Sequence, residues 1–311
     1  MSSDAPPRVV LSLDFELRWG LHDVLGADRD AYRASLEGTR EVVPRLLRML
    51  TERGVSATWA CVGALACAGW EDYLARAPAP PEYAAERLRF DLRWSEWDPE
   101  GALHFAPELV AAVARTPGQE LGSHTFSHLF LGEAGVMRRD ARADAAATRA
   151  LFEERFGVRP RSLVFPRNQV CFTDVLASEG IRVVRTNPPA WYWSRTLTQD
   201  EVLPLRVARL IDSVDPLTRR AAPPRVSRVV ETIGSVLLRV SAPEPVFRAV
   251  QVKLAREARR LRGGDVLHLW LHPHNLGAAP GPRLARMEAL LDTVARHAPR
   301  ETAYRSMGEL A

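Results

Sequence analysis

The run "VVLSLDFE" (9–16) alternates without a break: Val9, Leu11, Leu13 and Phe15 share one face, while Val10, Ser12, Asp14 and Glu16 share the other. That period of two predicts a strand with an acidic end. The apolar spacing of "VPRLLRMLTERG" (43–54) predicts a helix with Pro44 in its first turn and Gly54 as its stop, and "VSATWA" (55–60) reads as the next strand. An irregular stretch rich in Pro and Trp (71–105) precedes a helix from Pro107 and the strand "QELGSH". A long helix, "MRRDARADAAATRALFEERFG", is closed by Gly157 and Pro160, and the strand "SLVF" (162–165) follows. "TDVLASEG" and "IRVVR" repeat the helix and strand theme at 173–185, whereas 187–262 breaks it, with helical spacing in 226–240 and 245–263. The strand "GDVLHLWLHPHN" (264–275) restores the rhythm, and a helix at 283–297 and the segment "TAYRSMGELA" close the chain. Alternating strands and helices predict parallel strands joined by crossover helices, in one α/β domain carrying two insertions, 71–105 and 187–262. Periodicity alone leaves a barrel and an open sheet equally possible.

Composition narrows the class. With 311 residues, 46% hydrophobic and 26% charged, the chain is long enough for a large core and is not a disordered one. No apolar run is long enough for a bilayer, and "MSSDAPPRVVLSL" lacks the features of a secretory leader, so the expected location is the cytoplasm. Cys61, Cys67 and Cys171 fit small core residues in a reducing compartment. Of 42 basic residues only Lys253 is a lysine, a compositional bias that does not mark a nucleic-acid partner. The net charge of +4 is unevenly spread, since 219–262 holds ten arginines and Lys253 against Glu231, Glu244 and Glu257.

Chemistry-bearing residues gather where strands give way to loops: Asp14 and Glu16, His124 and His128, Arg167 and Asn168, His272 and His274. The carboxyl ends of parallel strands collect ligand sites, so these pairs are expected to converge. Two carboxylates two residues apart enter one small volume and call for a cation. His124 and His128, at i and i+4, can each supply a nitrogen, and Glu16 can be the third ligand of a divalent ion that keeps an open position. Trp19, His22 and Asp23, in the loop after the first strand, are candidate sugar contacts, and a packed Trp with a turn-capping Asp is the equal alternative. Trp191 and Trp193 carry the same ambiguity, and His268, deep in its strand, reads as a packed residue.

"LSLDFELRWG", "GSHTFSH", "VFPRNQ" and "LWLHPHN" resemble, in order and context, the motifs of the polysaccharide deacetylases, the NodB-like carbohydrate esterases. The resemblance runs from residue 9 to the C-terminus, outside the two insertions. It implies a distorted (β/α) barrel that removes acetyl groups from N-acetylated sugars with a divalent metal, commonly zinc. Asp14 then corresponds to the general base, Glu16, His124 and His128 to the metal ligands, and His272 to the general acid. Arg167 is expected to pair with Asp14, and a backbone N–H near Asn168 to join in stabilising the oxyanion. His274 and Asn275 are further candidate substrate contacts. Where the family's first motif has two adjacent aspartates, this chain has Asp14-Phe15-Glu16.

Three accounts of the arginine-rich faces in 226–262 stand side by side: a solvated helical cover, a site for an anionic substrate moiety such as a sugar diphosphate, and peripheral contact with an anionic membrane. For the whole chain the leading expectation is a deacetylase of a nucleotide-linked or lipid-linked glycan precursor or a small glycoside. The alternatives are hydrolysis of a non-sugar amide or ureide on the same barrel, and a catalytically idle, membrane-associated glycan-binding protein.

Overall fold

A computed structural model describes residues 5–23, 32–89, 94–200 and 202–311. Residues 90–93, within the stretch 71–105, and residue 201, within 187–262, lie outside the described residues. The strands are β1 (Arg8–Phe15), β2 (Ala57–Cys61), β3 (Gln119–Ser123), β4 (Ser162–Val164), β5 (Val183–Thr186), β6 (Arg225–Val226), β7 (Val230–Leu237), β8 (Val266–Leu271) and β9 (Ala303–Arg305). Strands β1, β2, β3, β4, β5, β7 and β8 pair in parallel, and β8 closes onto β1, giving a seven-stranded barrel. β9 adds to β1 near its start, and β6 pairs antiparallel with β7. The helices are α1 (Arg33–Glu52), α2 (Trp70–Arg76), α3 (Trp94–Trp97), α4 (Pro107–Arg115), α5 (Arg138–Phe156), α6 (Thr173–Ser178), α7 (Trp191–Ser194), α8 (Leu203–Val214), α9 (Glu244–Arg259), α10 (His274–Gly277) and α11 (Pro280–His297).

The alternation read in β1 explains its two environments. Val9, Leu11, Leu13 and Phe15 pack outward into the main core with Val43, Leu46 and Leu50 of α1 and Met287 and Leu290 of α11. Val10 points inward to a small inner core with Ala60, Val164, Val183, Val266, Met307 and Leu310. Each fully buried aliphatic side chain contributes roughly 1.5–3 kcal/mol, so the two faces lock the register of β1. The C-terminal turn plugs the bottom of the barrel: the Met307 N–H donates to Thr58 Oγ1 (2.7 Å) and the Gly308 N–H to Glu120 Oε2 (2.9 Å).

Three elements depart from expectation. α1 begins at Arg33, ten residues before the predicted start, so Pro44 lies inside the helix and leaves one i to i−4 bond unmade. The stretch 226–240 is the barrel strand β7, not a helix. Its register shifts between Gly234 and Val236, and that extra residue breaks the period of two and imitates helical spacing. The stretch 187–262 therefore supplies β7 and α9 to the barrel, in addition to α7 and α8. Finally, "SHTFSH" is an irregular loop, so His124 and His128 do not stand one helical turn apart on a helix.

Candidate active site

β1 ends on Asp14 and Phe15, and Glu16 turns the chain into a short 3-10 turn (Leu17–Leu21) with Leu17 at φ 46°. β3 ends on Ser123, and the His124 N–H then donates to the Cys61 carbonyl (2.8 Å). The loop is fixed by the N–H groups of Gly63 and Ala64, which donate to the Thr125 and Phe126 carbonyls (2.8 Å each), and by the Phe126 N–H, which donates to the buried Asp144 carboxyl (2.9 Å). Left-handed backbone at Thr125 (φ 65°) and His128 (φ 58°) turns both imidazoles toward Glu16.

Glu16 Oε2 lies 3.2 Å from His124 Nε2 and 3.1 Å from His128 Nε2, and all three residues are buried. These three side chains form a group able to hold a metal ion. Ligands about 2.0–2.1 Å from a tetrahedral ion stand roughly 3.3 Å apart, so the spacing fits one. His124 Nδ1 is 2.8 Å from the Val164 carbonyl, which fixes Nδ1 as the protonated nitrogen and leaves the Nε2 lone pair free. Burial, opposed in part by Glu16, pushes His128 down to about 4, so it is neutral near pH 7 as a ligand must be. Burial raises the Glu16 carboxyl, but the His272 charge and the close approach of His124 and His128 outweigh it, and the group lies well below its usual range.

Asp14, also buried, accepts a bidentate pair of bonds from Arg185, at 2.7 Å each. Burial raises its carboxyl, but the charges of Arg185 and His272 and the Arg185 bonds hold it below the usual value. Arg185 is fixed in turn by Ser12 Oγ (3.0 Å), Asn168 Oδ1 (3.2 Å) and the Trp270 ring, 4.4 Å from its guanidinium carbon. The expected partner, Arg167, instead grips Asp23 (2.6 and 2.7 Å). Arg167 stands in the loop after β4, whereas Arg185 lies within the following strand, β5. The signal for Arg185 in sequence was an arginine after two apolar residues near the carboxyl end of a short strand.

His272 Nε2 stands 3.8 Å from Asp14 Oδ2 and 3.6 Å from Glu16 Oε1, and the ring is a quarter exposed where the two acids are nearly covered. Asp14, Glu16, His124, His128, Arg167, Asn168 and His272 all line one cavity of about 240 Å³. Trp193, left open between sugar contact and packed residue, lines it too, together with Trp270, Arg209 and Arg239, which the sequence did not single out.

Several candidate substrate contacts lie elsewhere. Trp19 is 1% exposed, donates from Nε1 to the His104 carbonyl (2.7 Å) and packs on Trp70, Tyr73 and Phe105, so it is a core residue with no face for sugar. His22 stacks on Phe130 and sits edge-on to His128, behind the ligand set. Asp23 is occupied by Arg167. His274 is buried 4.0 Å from Glu16 Oε1, with burial and the His272 charge pushing it to about 4, and it is not part of the cavity wall. Asn275 caps a turn through its backbone, with its N–H donating to the His272 carbonyl (2.9 Å), and does not line the cavity either. His268 is fully buried, 2.9 Å from Ser12 Oγ, as a packed residue should be.

The sequence pattern of the family described as "Polysaccharide deacetylase" matches residues 33–179. No curated protein matches the chain. Among solved structures, a putative polysaccharide deacetylase from Mycobacterium smegmatis is similar at TM-score 0.59 and 17% identity, covering 99% of this chain and 89% of that one. Puue allantoinase is similar at TM-score 0.54 and 12% identity, with 99% and 89% covered. At such identities the likeness establishes the barrel and leaves the chemistry to the site.

Proposed function

We propose, on the match of residues 33–179 to the polysaccharide deacetylase pattern, that the chain is a metal-dependent amide hydrolase of that family that removes an N-acetyl group from an amino sugar. The observation that carries this reading is the meeting of Glu16, His124 and His128 beside an ionised Asp14 and a more exposed His272 in one cavity.

Amide hydrolysis needs an activated water, a positive centre for the developing oxyanion and a proton for the departing nitrogen. A divalent cation, zinc by the chemistry of one carboxylate and two imidazoles, would be held by Glu16, His124 and His128 and would acidify water and polarise the acetyl carbonyl. Asp14 then accepts the water's proton, and Arg185 keeps that carboxylate charged and fixed by its paired bonds. His272, with its ring at the mouth of the cavity, donates the proton to the amine nitrogen. Asn168 lines the cavity with its Oδ1 3.2 Å from Arg185, while its backbone N–H, expected to support the oxyanion, donates instead to the Phe165 carbonyl (2.9 Å). The separation of the two acids follows from their neighbours: Glu16 faces two imidazoles and Asp14 faces a guanidinium.

The substrate classes that fit this reading are nucleotide-linked or lipid-linked glycan precursors and small glycosides; no helix among the described residues is long and apolar enough to cross a membrane. The fold is shared with an allantoinase, so a ureide is the competing substrate class. Acetate release from N-acetylated mono- and oligosaccharides, run beside ammonia release from ureides, tests the proposal. Activity on the sugars that falls by about a hundredfold or more in Glu16→Ala and His128→Ala supports it. Ureide turnover alone, or sugar turnover indifferent to both variants, overturns it.

A further inference from the structure

The charge of the cavity points beyond a neutral sugar. Four arginines, Arg167, Arg185, Arg209 and Arg239, line it with two carboxylates, Asp14 and Glu16. Both carboxylates are committed, Asp14 to Arg185 and Glu16 to the two histidines, and Arg167 is committed to Asp23. Arg239, just beyond the end of β7, is not committed to an acid. Its Nε donates to Ser213 Oγ (2.7 Å), and no carboxylate among the described residues lies within ion-pair distance of it. Burial lowers its pKa with no neighbouring acid to offset the effect.

The wall behind Arg239 is built, not incidental. Ser213 follows Asp212, whose carboxylate accepts bonds from Trp193 Nε1 (2.9 Å), from the Tyr192 hydroxyl (3.2 Å) and from Arg220, while the Lys253 ammonium donates to the Asp212 carbonyl. Arg209 lines the same cavity, with its guanidinium carbon 5.4 Å from the Trp193 ring centre and its Nε donating to the Tyr192 carbonyl (3.0 Å). Taking a guanidinium partly out of water without an acid is unfavourable in the protein alone, and its planar donors suit the paired oxygens of a carboxylate or phosphate.

We propose that Arg239 is a specificity-determining residue that binds an anionic substituent, a carboxylate or a phosphate, carried by the N-acetylated sugar. This rests on the hydrolase reading above and narrows its substrate class. The anion expected earlier on the outer arginine-rich faces of 226–262 is thereby placed inside the cleft.

Calorimetric binding of N-acetylglucosamine, N-acetylglucosamine 1-phosphate and N-acetylmuramic acid to the metal-loaded protein tests it, with acetate release measured in parallel. At least one anionic sugar is expected to bind about tenfold or more tightly than the neutral one, by the scale of a charge-assisted pair, and the gap should narrow as salt is raised. The phosphate and carboxylate arms show which anion is read. In Arg239→Gln the gap should close to within about twofold, and Arg239→Lys should keep part of it. Equal binding of all three sugars by the unaltered protein, or a gap that survives Arg239→Gln, overturns the proposal. If Arg239→Gln fails to fold, unaltered affinities in Arg239→Ala or full preference in a folded Arg239→Met decide the matter in the same way. Binding preference without acetate release would sink the hydrolase reading while leaving the anion site standing, and acetate release without preference would do the reverse.

Discussion

Replacing Arg185 by Met, which keeps most of the side-chain volume, isolates the electrostatic role of the buried pair. Asp14 and Arg185 are each nearly covered and joined by two bonds of 2.7 Å. Removing one partner of such a pair strands the other in a poorly solvated place, at about 3–5 kcal/mol. The stranded Asp14 can relieve that penalty by binding a proton, because burial is the largest influence on its carboxyl and acts upward. At about 1.4 kcal/mol per pH unit, the acid limb of the pH–rate profile should move up by roughly 2 units or more. In the unaltered protein the carboxyl is held below its usual range, so its contribution to stability is present at neutral pH and is lost only as pH falls through that range. The assay is kcat/KM for acetate release from pH 4 to 9 at saturating zinc, with Arg167→Met beside it. A limb that stays in place in Arg185→Met, or that moves equally in Arg167→Met, would refute the pairing argument, since Arg167 holds Asp23 and not Asp14.

Two further outcomes follow from named contacts. Asp144 is buried beneath the ligand loop and burial, opposed by the Phe126 and Ser127 N–H groups, pushes its carboxyl up to about 7. Because the folded value lies above the unfolded one, its contribution to stability is present below about pH 4 and is lost as pH rises through 7, an effect of roughly 4 kcal/mol. Asp144→Asn should flatten that slope in thermal melts taken between pH 4 and 8, and an unchanged slope would count against it. Gly20 sits against the ligand Glu16, and a methyl group there would meet the carboxyl carbon at 2.0 Å and its oxygens at 2.1 and 2.5 Å. Gly20→Ala should therefore weaken zinc binding about 10-fold to 100-fold in competition with a chromophoric chelator, and equal affinity would show that Glu16 is not held where the geometry puts it.

Much of the site was legible because its residues obey one rule. Asp14 and Glu16 interrupt an apolar strand at its carboxyl end, His124 and His128 follow the end of another, and parallel strands bring such ends together. The unread parts depend on distant contacts. Trp19 stayed open between a sugar platform and a packed residue because nothing local shows Trp70, Tyr73 and Phe105 closing over it. Only Arg167 was expected beside Asp14, and the partner is instead set by the inward direction of β5, whose Val183 shares the inner core with Val10 and whose Arg185 follows two residues later on the same face. The strand β7 was hidden by its own irregularity at Gly234 to Val236.

An anomalous difference map from crystals grown with zinc, collected on both sides of the zinc absorption edge, reaches the central claim most directly. The account predicts one strong peak within about 2.0–2.2 Å of a Glu16 oxygen, His124 Nε2 and His128 Nε2, with Asp14 outside that distance and still joined to Arg185. A peak bound by Asp14 in place of Glu16, or none between the two imidazoles, would contradict it.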